Sequence, residues 1–501
     1  MKKTILSLVC LLLVGVVLLG LVLVKNISGI KAFSNQLRSL TKQPQSDQVI
    51  FDLRTLLELN VVVSKLSENK LLSVFLKKDQ KELLARLQTI SSDVGSVLSE
   101  LSDQEQRWLF IFQNSNELRA TGGFMGSYAI VEINEGKIIS INTEDIYDAD
   151  GQFNGYFEAP SGVKEYLSSG KGLRLPDANW HIDTAKSAEQ ILPFFAWGNK
   201  QNVKGIVFVN LEFAKKLLEF LGPIELTDYN TIVTQDNLDE VLRSRRDDFF
   251  PGSTQKKHML SQLLTQVRLK TTSLNPEQLI LLLDFIQNEI SQNNLQFYSN
   301  NQTIDAVFEK NKMRQIVNIP DNSEFLYLVE SNVGINKANK AVSRQVSITK
   351  TPNQRTVTID FTNNNKRPTI SKLTQITELE TTSPATQEAK INNHLAYVNY
   401  QRVVVPKNWE LTSVLFQNTT VEPIDQELLI IDGVEFKQIG FLVVIPEEKN
   451  ATAQILFNVP ESLEQIYIQK QPGLPATNYV LEYNQNQETH TITNNLLLKY
   501  P

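Results

Sequence analysis

The residues best suited to chemistry lie close together in the first third of the sequence. Arg119 is followed by Thr121, Gly122 and Gly123 in the segment ELRATGG. A guanidinium offers a planar fork of donors to a phosphate or carboxylate, and glycines let a ligand approach backbone N–H groups. The segment therefore indicates an anion-binding loop. The alternative is a tight turn in which Arg119 pairs with an acid of the protein, such as Asp145.

A second group of candidate residues is acidic. The segment EDIYDAD carries three aspartates after a predicted strand, and a fourth aspartate lies in a later loop. Carboxylate oxygens are the ligands that Mg²⁺ and Ca²⁺ prefer, although the spacing does not match an EF-hand. We take Mg²⁺ as the candidate cation, and no other cofactor is indicated. The alternative is a solvated acidic loop. The candidate metal ligands are Asp145, Asp148, Asp150 and Asp177.

The loop before the next predicted helix supplies further polar groups. Asn179 is a candidate ligand-binding residue, and Asp183 is a candidate N-cap of a helix whose N-terminus could also hold an anion. His181 follows Trp180, and packing explains this histidine better than general-base catalysis does. The sequence contains no P-loop, nucleophile elbow, HExxH or dinucleotide fingerprint. The common nucleotide-binding and hydrolase motifs are thus excluded.

Composition limits the class of protein. A chain of 501 residues is expected to form about two or three folded units. A net charge of −6 argues against a broad nucleic-acid-binding face. The single cysteine, Cys10, excludes a disulfide framework, and the four histidines are too dispersed for a zinc motif.

The N-terminal segment predicts a membrane anchor. Residues 4–24 carry no charged side chain and are flanked by Lys3 and Lys25. At ~1.5 Å per residue, such a helix spans a hydrocarbon core of ~30 Å. The run is longer than the apolar part of a signal peptide. We therefore expect an uncleaved transmembrane helix at 4–24, a cytoplasmic tip at 1–3 and an extracytoplasmic bulk, because long domains translocate largely regardless of charge.

Three folded regions are expected to follow the anchor. Helical spacing of apolar residues predicts a helical stalk or bundle over 25–106. Alternating strands and helices predict an α/β domain over 107–335, with a mixed sheet flanked by helices. Period-two runs predict a β-sandwich-like domain over 340–501, interrupted by a polar loop at 369–393. In the α/β domain the predicted strands are 108–113, 124–133, 137–142, 205–209, 224–226 and 325–330, and the predicted helices are 183–195, 211–221, 237–243, 255–270 and 276–289.

Several segments together resemble an uncharacterised bacterial membrane-protein family, domain-of-unknown-function family 4012. They include FQNSNELRATGGFMGSY, EDIYDADGQ, LPDANWHIDTAKSAEQI and YIQKQPG, and the resemblance extends from about Trp108 to Gly473. That family has no established activity. The resemblance therefore implies kinship and a membrane-anchored organisation, and it implies no particular reaction.

A fainter resemblance is to the LytR-CpsA-Psr family, whose strand–helix–strand unit is similar to VFVNLEFAKKLLEFLGPIEL. Those membrane-anchored α/β enzymes move glycopolymers from polyprenyl-pyrophosphate carriers to the cell wall. The resemblance implies that Arg119 matches their first pyrophosphate-binding arginine. Ile146 or Tyr147 stands in place of the second arginine, for which Arg174 in the next loop is the candidate substitute. The acid that follows their second arginine matches Asp145, Asp148 or Asp150.

Three functions are compatible with these observations. The first is an envelope protein that binds a cell-wall glycan or a phosphate-containing ligand. The second is a Mg²⁺-dependent phosphotransferase acting on polyprenyl-phosphate-linked glycopolymers. The third is a structural or interaction protein of the envelope. The first two require Arg119 and the acids to line one cleft, whereas the third does not.

Overall fold

The computed structural model describes residues 51–52, 92–93, 95–102, 104–196, 202–243, 254–274, 276–315, 317, 319–366, 395–460 and 462–501. The predicted anchor, most of the predicted stalk and the polar loop lie outside these ranges. Within them, no helix combines the length and apolar character that crossing a membrane requires. Residues 95–102 are helical, as predicted. The strand Phe51–Asp52 falls inside the predicted stalk, and it pairs with Lys137 and Ile138.

The first sheet is mixed and is flanked by helices, which confirms the α/β prediction for this part of the chain. Its six strands have the order β1-β4-β3-β2-β5-β8; β2 and β5 run parallel, and the other neighbours run antiparallel. The strands are β1 Phe51–Asp52, β2 Gln106–Asn114, β3 Phe124–Asn134, β4 Lys137–Asp145, β5 Val203–Asn210 and β8 Leu295–Ser299, and a separate hairpin pairs β6 Ile224–Leu226 with β7 Thr231–Val233.

Local sequence signals account for the elements of this unit. Glu135 and Gly136 adopt positive φ in the turn between β3 and β4, as expected of a two-residue hairpin. Asn210 caps the helix Leu211–Leu221 by accepting from the backbone N–H of Phe213. Apolar side chains of that helix pack against one face of the sheet. The helices are α1 Ile146–Asp150, α2 Val163–Tyr166, α3 Thr184–Ile191, α4 Leu211–Leu221, α5 Leu238–Arg243, α6 Thr254–Thr272, α7 Pro276–Ser291 and α8 Gln302–Lys310.

Two further sheets form the C-terminal half, and their facing sides enclose a shared hydrophobic core. The central sheet has the order β15-β16-β12-β9-β18-β21, and the outer sheet has the order β14-β13-β17-β11-β10-β19-β20. Their strands are β9 Glu324–Asn332, β10 Val342–Lys350, β11 Gln354–Asn363, β12 Tyr397–Pro406, β13 Glu410–Phe416, β14 Thr419–Thr420, β15 Asp425–Ile431, β16 Val434–Ile445, β17 Lys449–Asn458, β18 Gln465–Gln469, β19 Thr477–Tyr483, β20 Asn486–Ile492 and β21 Leu496–Lys499.

The central sheet also packs against the α/β unit through its other face. Strands β9 and β12 are buried along nearly their whole length, and residues of both contribute to cores shared with the first unit. The sequence placed β9 in the α/β domain ending at 335, but β9 pairs with β12 and β18. Since β9 is a short apolar run without alternation, its composition could not indicate which sheet it joins.

Candidate functional site

The loop between β2 and β3, residues 115–123, is buried throughout. Arg119 is 1% exposed, and all three of its side-chain nitrogens face protein acceptors. Nε and Nη2 donate to Asp177 Oδ1 at 3.1 and 2.9 Å. Nη1 donates to the carbonyl of Leu118 at 3.1 Å and to the carbonyl of Asn332. Arg119 is therefore paired within the protein; its acidic partners are Asp177 and, at 3.5 Å, Glu117, rather than Asp145.

This loop also joins the α/β unit to the central sheet through its backbone. The N–H of Asn332, at the end of β9, donates to the carbonyl of Leu118 at 3.0 Å. The amide of Gln471 donates to the carbonyls of Arg119 and Glu330 at 3.1 and 2.8 Å. Because one side chain bridges carbonyls from both units, the loop forms a structural junction, which we call the Arg119 junction.

The glycines of the junction permit close backbone packing. A Cβ on Gly473 would lie 2.2 Å from the carbonyl oxygen of Gly122, and one on Gly123 would lie 2.4 Å from the carbonyl of Asn114. Both residues have positive φ. Space beside Gly122 is thus filled by the segment containing Gly473, which comes from the C-terminal half of the chain.

Thr121 and Asn179 stabilise the same loop. The amide nitrogen of Asn179 donates to Thr121 Oγ1 at 2.8 Å and to the carbonyl of Gly123 at 2.9 Å. Gln113 Nε2 also donates to Thr121 Oγ1. The structure thus brings Asn179 next to Thr121 and the two glycines in a packed arrangement, in which its amide nitrogen donates to the loop.

The acidic segment EDIYDAD is not an open loop: its first two residues end β4, and Ile146–Asp150 form the short helix α1. Asp145 caps it by accepting from the N–H of Tyr147 at 3.2 Å, and Asp148 accepts from the N–H of Asp145 at 3.3 Å. These reciprocal bonds form a capping box, with Asp148 in the role usually taken by Glu or Gln. Both carboxylates satisfy backbone donors that a helix start leaves unpaired.

Asp150 and Asp177 each form an ion pair with an arginine. Asp150 pairs with Arg174, and Asp177 pairs with Arg119. Arg174 donates to both carboxylate oxygens of Asp150, and Asp150 also accepts from the N–H of Leu175. The turn Leu175–Asp177 then leads to the partner of Arg119. The acids are thus divided between two ion pairs and a capping box. Across the described ranges, no three Asp, Glu, His or Cys side chains are placed to hold a metal ion together.

Removing the Arg174 side chain should lower the free energy of unfolding only modestly. Its side chain is 33% exposed, so solvent screens the pair and partly rehydrates Asp150 once the arginine is gone. We expect Arg174→Ala to lower the free energy of unfolding by about 1 kcal/mol, measured by urea denaturation. The control is Lys186→Ala, which removes an exposed pair with Glu189 and should have almost no effect. A loss from Arg174→Ala as small as that control would show that the ion pair contributes nothing.

Asp183 and His181 have structural roles, as the sequence interpretation favoured. Asp183 caps α3 by accepting from the N–H groups of Ala185 and Lys186 at 2.7 and 3.3 Å. His181 Nδ1 accepts from the N–H of Asp183 at 3.0 Å. Burial, reinforced by the nearby Arg402 guanidinium, lowers the pKa of His181 to about 4. The imidazole is therefore held neutral as a hydrogen-bond acceptor.

This lowered pKa predicts a pH-dependent stability. Between the folded pKa of about 4 and the ordinary value of 6.5, the unfolded chain binds more protons at this position than the folded chain does. Stability therefore falls as pH decreases from 6.5 towards 4, by an expected total of about 2–3 kcal/mol. His181→Asn, whose amide oxygen can accept from the same N–H, should flatten this part of the profile of unfolding free energy. An unchanged slope would exclude His181 as its source.

The sequence did not point to Arg402 as a residue that links the two units. Arg402, in β12, is 1% exposed and lies 4.6 Å from the Trp180 ring centre. It donates to the carbonyl of Trp180 at 2.8 Å and to Ser331 Oγ at 2.9 Å. Burial lowers its pKa to about 10. The signal in the sequence was a charged residue inside the apolar strand YVNYQRVVVP, which requires a buried partner.

Comparison with known proteins supports the predicted kinship. The model of the family described as "Protein of unknown function (DUF4012)" matches residues 103–246, so the resemblance to that family is confirmed over this segment. No curated protein matches the chain. Among solved structures, protein gbs0355 of Streptococcus agalactiae is similar at 14% identity over 43% of this chain and 76% of its own length, with a TM-score of 0.27. That similarity is too low to carry a structural argument.

Proposed function

We propose that this chain, whose residues 103–246 match a family of unknown function, is a membrane-anchored structural or interaction protein of the cell envelope. In this proposal, the uncharged run at 4–24 anchors the chain with its N-terminus in the cytoplasm. The α/β unit and the two C-terminal sheets then form one extracytoplasmic body joined at the Arg119 junction.

The observation that carries the proposal is the environment of Arg119. A pyrophosphate-binding arginine must present N–H groups to a ligand, ideally as a fork. Here the fork is directed at Asp177 and at backbone carbonyls, and the side chain is almost wholly inaccessible. A diphosphate would have to displace Asp177 and leave that carboxylate without its cation. The alternative of a Mg²⁺-dependent transferase is therefore the weaker interpretation.

Ligand binding can test this choice. The full chain in detergent is heated with and without polyprenyl pyrophosphate and Mg²⁺, and its unfolding is followed by intrinsic fluorescence. A ligand that binds only the folded state at 100 times its Kd would stabilise that state by about 2.7 kcal/mol. We expect no such shift and no release or transfer of phosphate.

The same measurement has an outcome that would overturn the proposal. A saturable shift in the wild-type chain that disappears in Arg119→Lys would support a ligand site at the junction. Lysine keeps the charge but lacks the bidentate fork. The unfolding midpoint of Arg119→Lys without ligand must be recorded alongside, so that lost binding is distinguished from lost folding.

The anchored topology requires its own test. Intact cells expressing the chain with a C-terminal tag are treated with a protease that cannot cross the membrane. We expect the tag to be cleaved in intact cells and the chain to remain in the membrane fraction after a carbonate wash. A protected tag in cells that become sensitive only after lysis would overturn the proposed orientation.

A further inference from the structure

The loop between α1 and α2 contains the one Asn-Gly pair of the whole sequence, Asn154 and Gly155. An asparagine side chain carries an electrophilic carbon, Cγ, and the backbone nitrogen of the following residue is the nucleophile nearest to it in the chain. A glycine in that place has no Cβ to hinder the approach, and its backbone reaches conformations that other residues avoid. The pair therefore has the local chemistry for an intramolecular reaction, and the fold decides whether that reaction is allowed.

Both reacting groups are open to solvent in the folded chain. Asn154, Gly155 and Tyr156 are exposed, and they lie outside any helix or strand. Among the described residues, the N–H of Gly155 has no protein acceptor, and the side-chain amide of Asn154 makes no hydrogen bond. An exposed backbone segment without such bonds opens at a cost close to zero in free energy. The fold thus withholds neither reactant.

A stacked pair of aromatic rings closes the base of this loop tip. Phe153 and Phe157 stack with their ring centroids 5.1 Å apart and their planes at 8°. Both rings also contact the buried Phe194, at centroid distances of 4.4 and 5.5 Å. Because the loop is fixed to the core at residues 153 and 157, the residues 154–156 form a tip that can change without disturbing the core.

The neighbouring Asp-Gly pair, Asp150 and Gly151, is protected in both of its reacting groups. The N–H of Gly151 donates to the carbonyl of Tyr147 at 2.9 Å, so that nitrogen is engaged. The carboxylate of Asp150 is held by the Arg174 guanidinium and by a backbone N–H. A carboxylate is also a poorer electrophile than a carboxamide. Two pairs with the same second residue therefore differ in the accessibility of their reacting groups.

We propose that Asn154 is a site of spontaneous deamidation, carried out by the chain's own backbone. The nitrogen of Gly155 gives up its proton and bonds to Cγ of Asn154, and the bond from Cγ to the side-chain nitrogen breaks. That nitrogen takes up a proton and leaves as ammonia, so a succinimide ring remains. Water then opens the ring. Attack at Cγ gives aspartate, and attack at the backbone carbonyl carbon gives isoaspartate, in which the main chain runs through Cβ and Cγ.

The reaction changes the surface of the molecule and leaves its core alone. Either product carries a new negative charge on the tip. Isoaspartate also lengthens the backbone by one carbon, which displaces the neighbouring Tyr156, whose side chain is 70% exposed. This inference goes beyond the proposed function and is independent of it, because the reaction requires water but neither a ligand, a partner nor a membrane.

Timed peptide mapping tests the proposal. The full chain in detergent is incubated at neutral pH and physiological temperature, and digests are analysed by chromatography and mass spectrometry, which separate aspartate from isoaspartate. We expect Asn154 to convert faster than the other described asparagines, including the exposed Asn322, which precedes a serine. Both products should appear. Direct hydrolysis of the side-chain amide gives aspartate alone, so a product without isoaspartate would overturn the ring mechanism.

A peptide with the sequence of residues 151–158 gives the rate in the absence of a fold. We expect Asn154 in the folded chain to react within about tenfold of the peptide, because the tip opens at almost no cost. An Asn154 that stays intact while the peptide reacts would overturn the inference. Asn154→Gln, which would have to close a larger ring, should abolish the conversion and so confirm which residue reacts.

Asp150→Asn is the matched control, because it creates a second Asn-Gly pair where the fold protects it. The N–H of Gly151 remains bonded to the carbonyl of Tyr147 at the end of α1. We expect residue 150 of this variant to convert at least about tenfold more slowly than Asn154 in the same molecule, since that hydrogen bond must open first. A cooperative unfolding transition must show that the variant is folded. Equal rates at the two positions would then refute the selection of Asn154 by the fold.

Discussion

Arg119→Ala is expected to lower the free energy of unfolding by about 3–5 kcal/mol. The substitution leaves Asp177 without its cation and removes one donor from each of the carbonyls of Leu118 and Asn332. Breaking a buried ion pair from one side costs this much, because the remaining charge stays desolvated. Urea denaturation followed by circular dichroism measures the change, and the slope m shows whether unfolding remains cooperative.

Two comparisons make this result specific to the junction. Arg107→Ala, on the same strand β2, removes a partly exposed pair with Glu132 and should cost about 1 kcal/mol. The double variant Arg119→Ala/Asp177→Ala should be less destabilised than the sum of its single variants, because the Asp177 carboxylate is removed together with its cation. A loss from Arg119→Ala no larger than that from Arg107→Ala would contradict the structural role and reopen the ligand-binding interpretation.

Gly473→Ala is expected to be the second strongly destabilising change, at about 3 kcal/mol or more. Its Cβ would lie 2.2 Å from the carbonyl oxygen of Gly122 and 2.9 Å from the carbonyl carbon, so two backbone segments would have to separate. Positive φ adds a further cost of about 1–2 kcal/mol for any residue with a Cβ. The separation would also weaken the hydrogen bonds that Gln471 makes across the junction.

The variant Gly433→Ala separates the steric clash from the cost of a positive φ. Gly433 has φ +79°, close to the +73° of Gly473, but nothing lies within 4 Å of its added Cβ. This control should therefore show only the backbone cost. Thermal unfolding of both variants gives the comparison directly, and equal losses would mean that the close approach at Gly122 contributes nothing to stability.

Much of the local structure could be predicted from the sequence because its causes are local. The helix Leu211–Leu221 and the strand Ile224–Leu226 were predicted with the observed bounds. Asp183 was identified as an N-cap, and the turn at Gly136 was identified as a hairpin. Each of these features depends on side chains that lie only a few residues apart in the sequence.

Other elements carried a signal that was overlooked or ambiguous. Strand β15 and its turn at Asp432–Gly433 matched the Asp-Gly hairpin signature and were missed. The segment EDIYDAD was interpreted as a candidate metal site or, alternatively, a solvated acidic loop, yet its spacing of Asp145 and Asp148 allows a capping box. Polarity alone does not distinguish a solvated loop from a capped helix start.

Residue types and their spacing were enough to identify the unusual residues: a guanidinium beside two glycines, the acids after it, and an uncharged run long enough for a membrane. The groups that the guanidinium faces could be found only from the folded chain. The partners of Arg119 lie 58 and 213 residues away, at Asp177 and Asn332. No local pattern encodes such pairings, because they depend on how the α/β unit packs against the central sheet. The same residues at the same spacing would form an open anion site if that sheet were elsewhere.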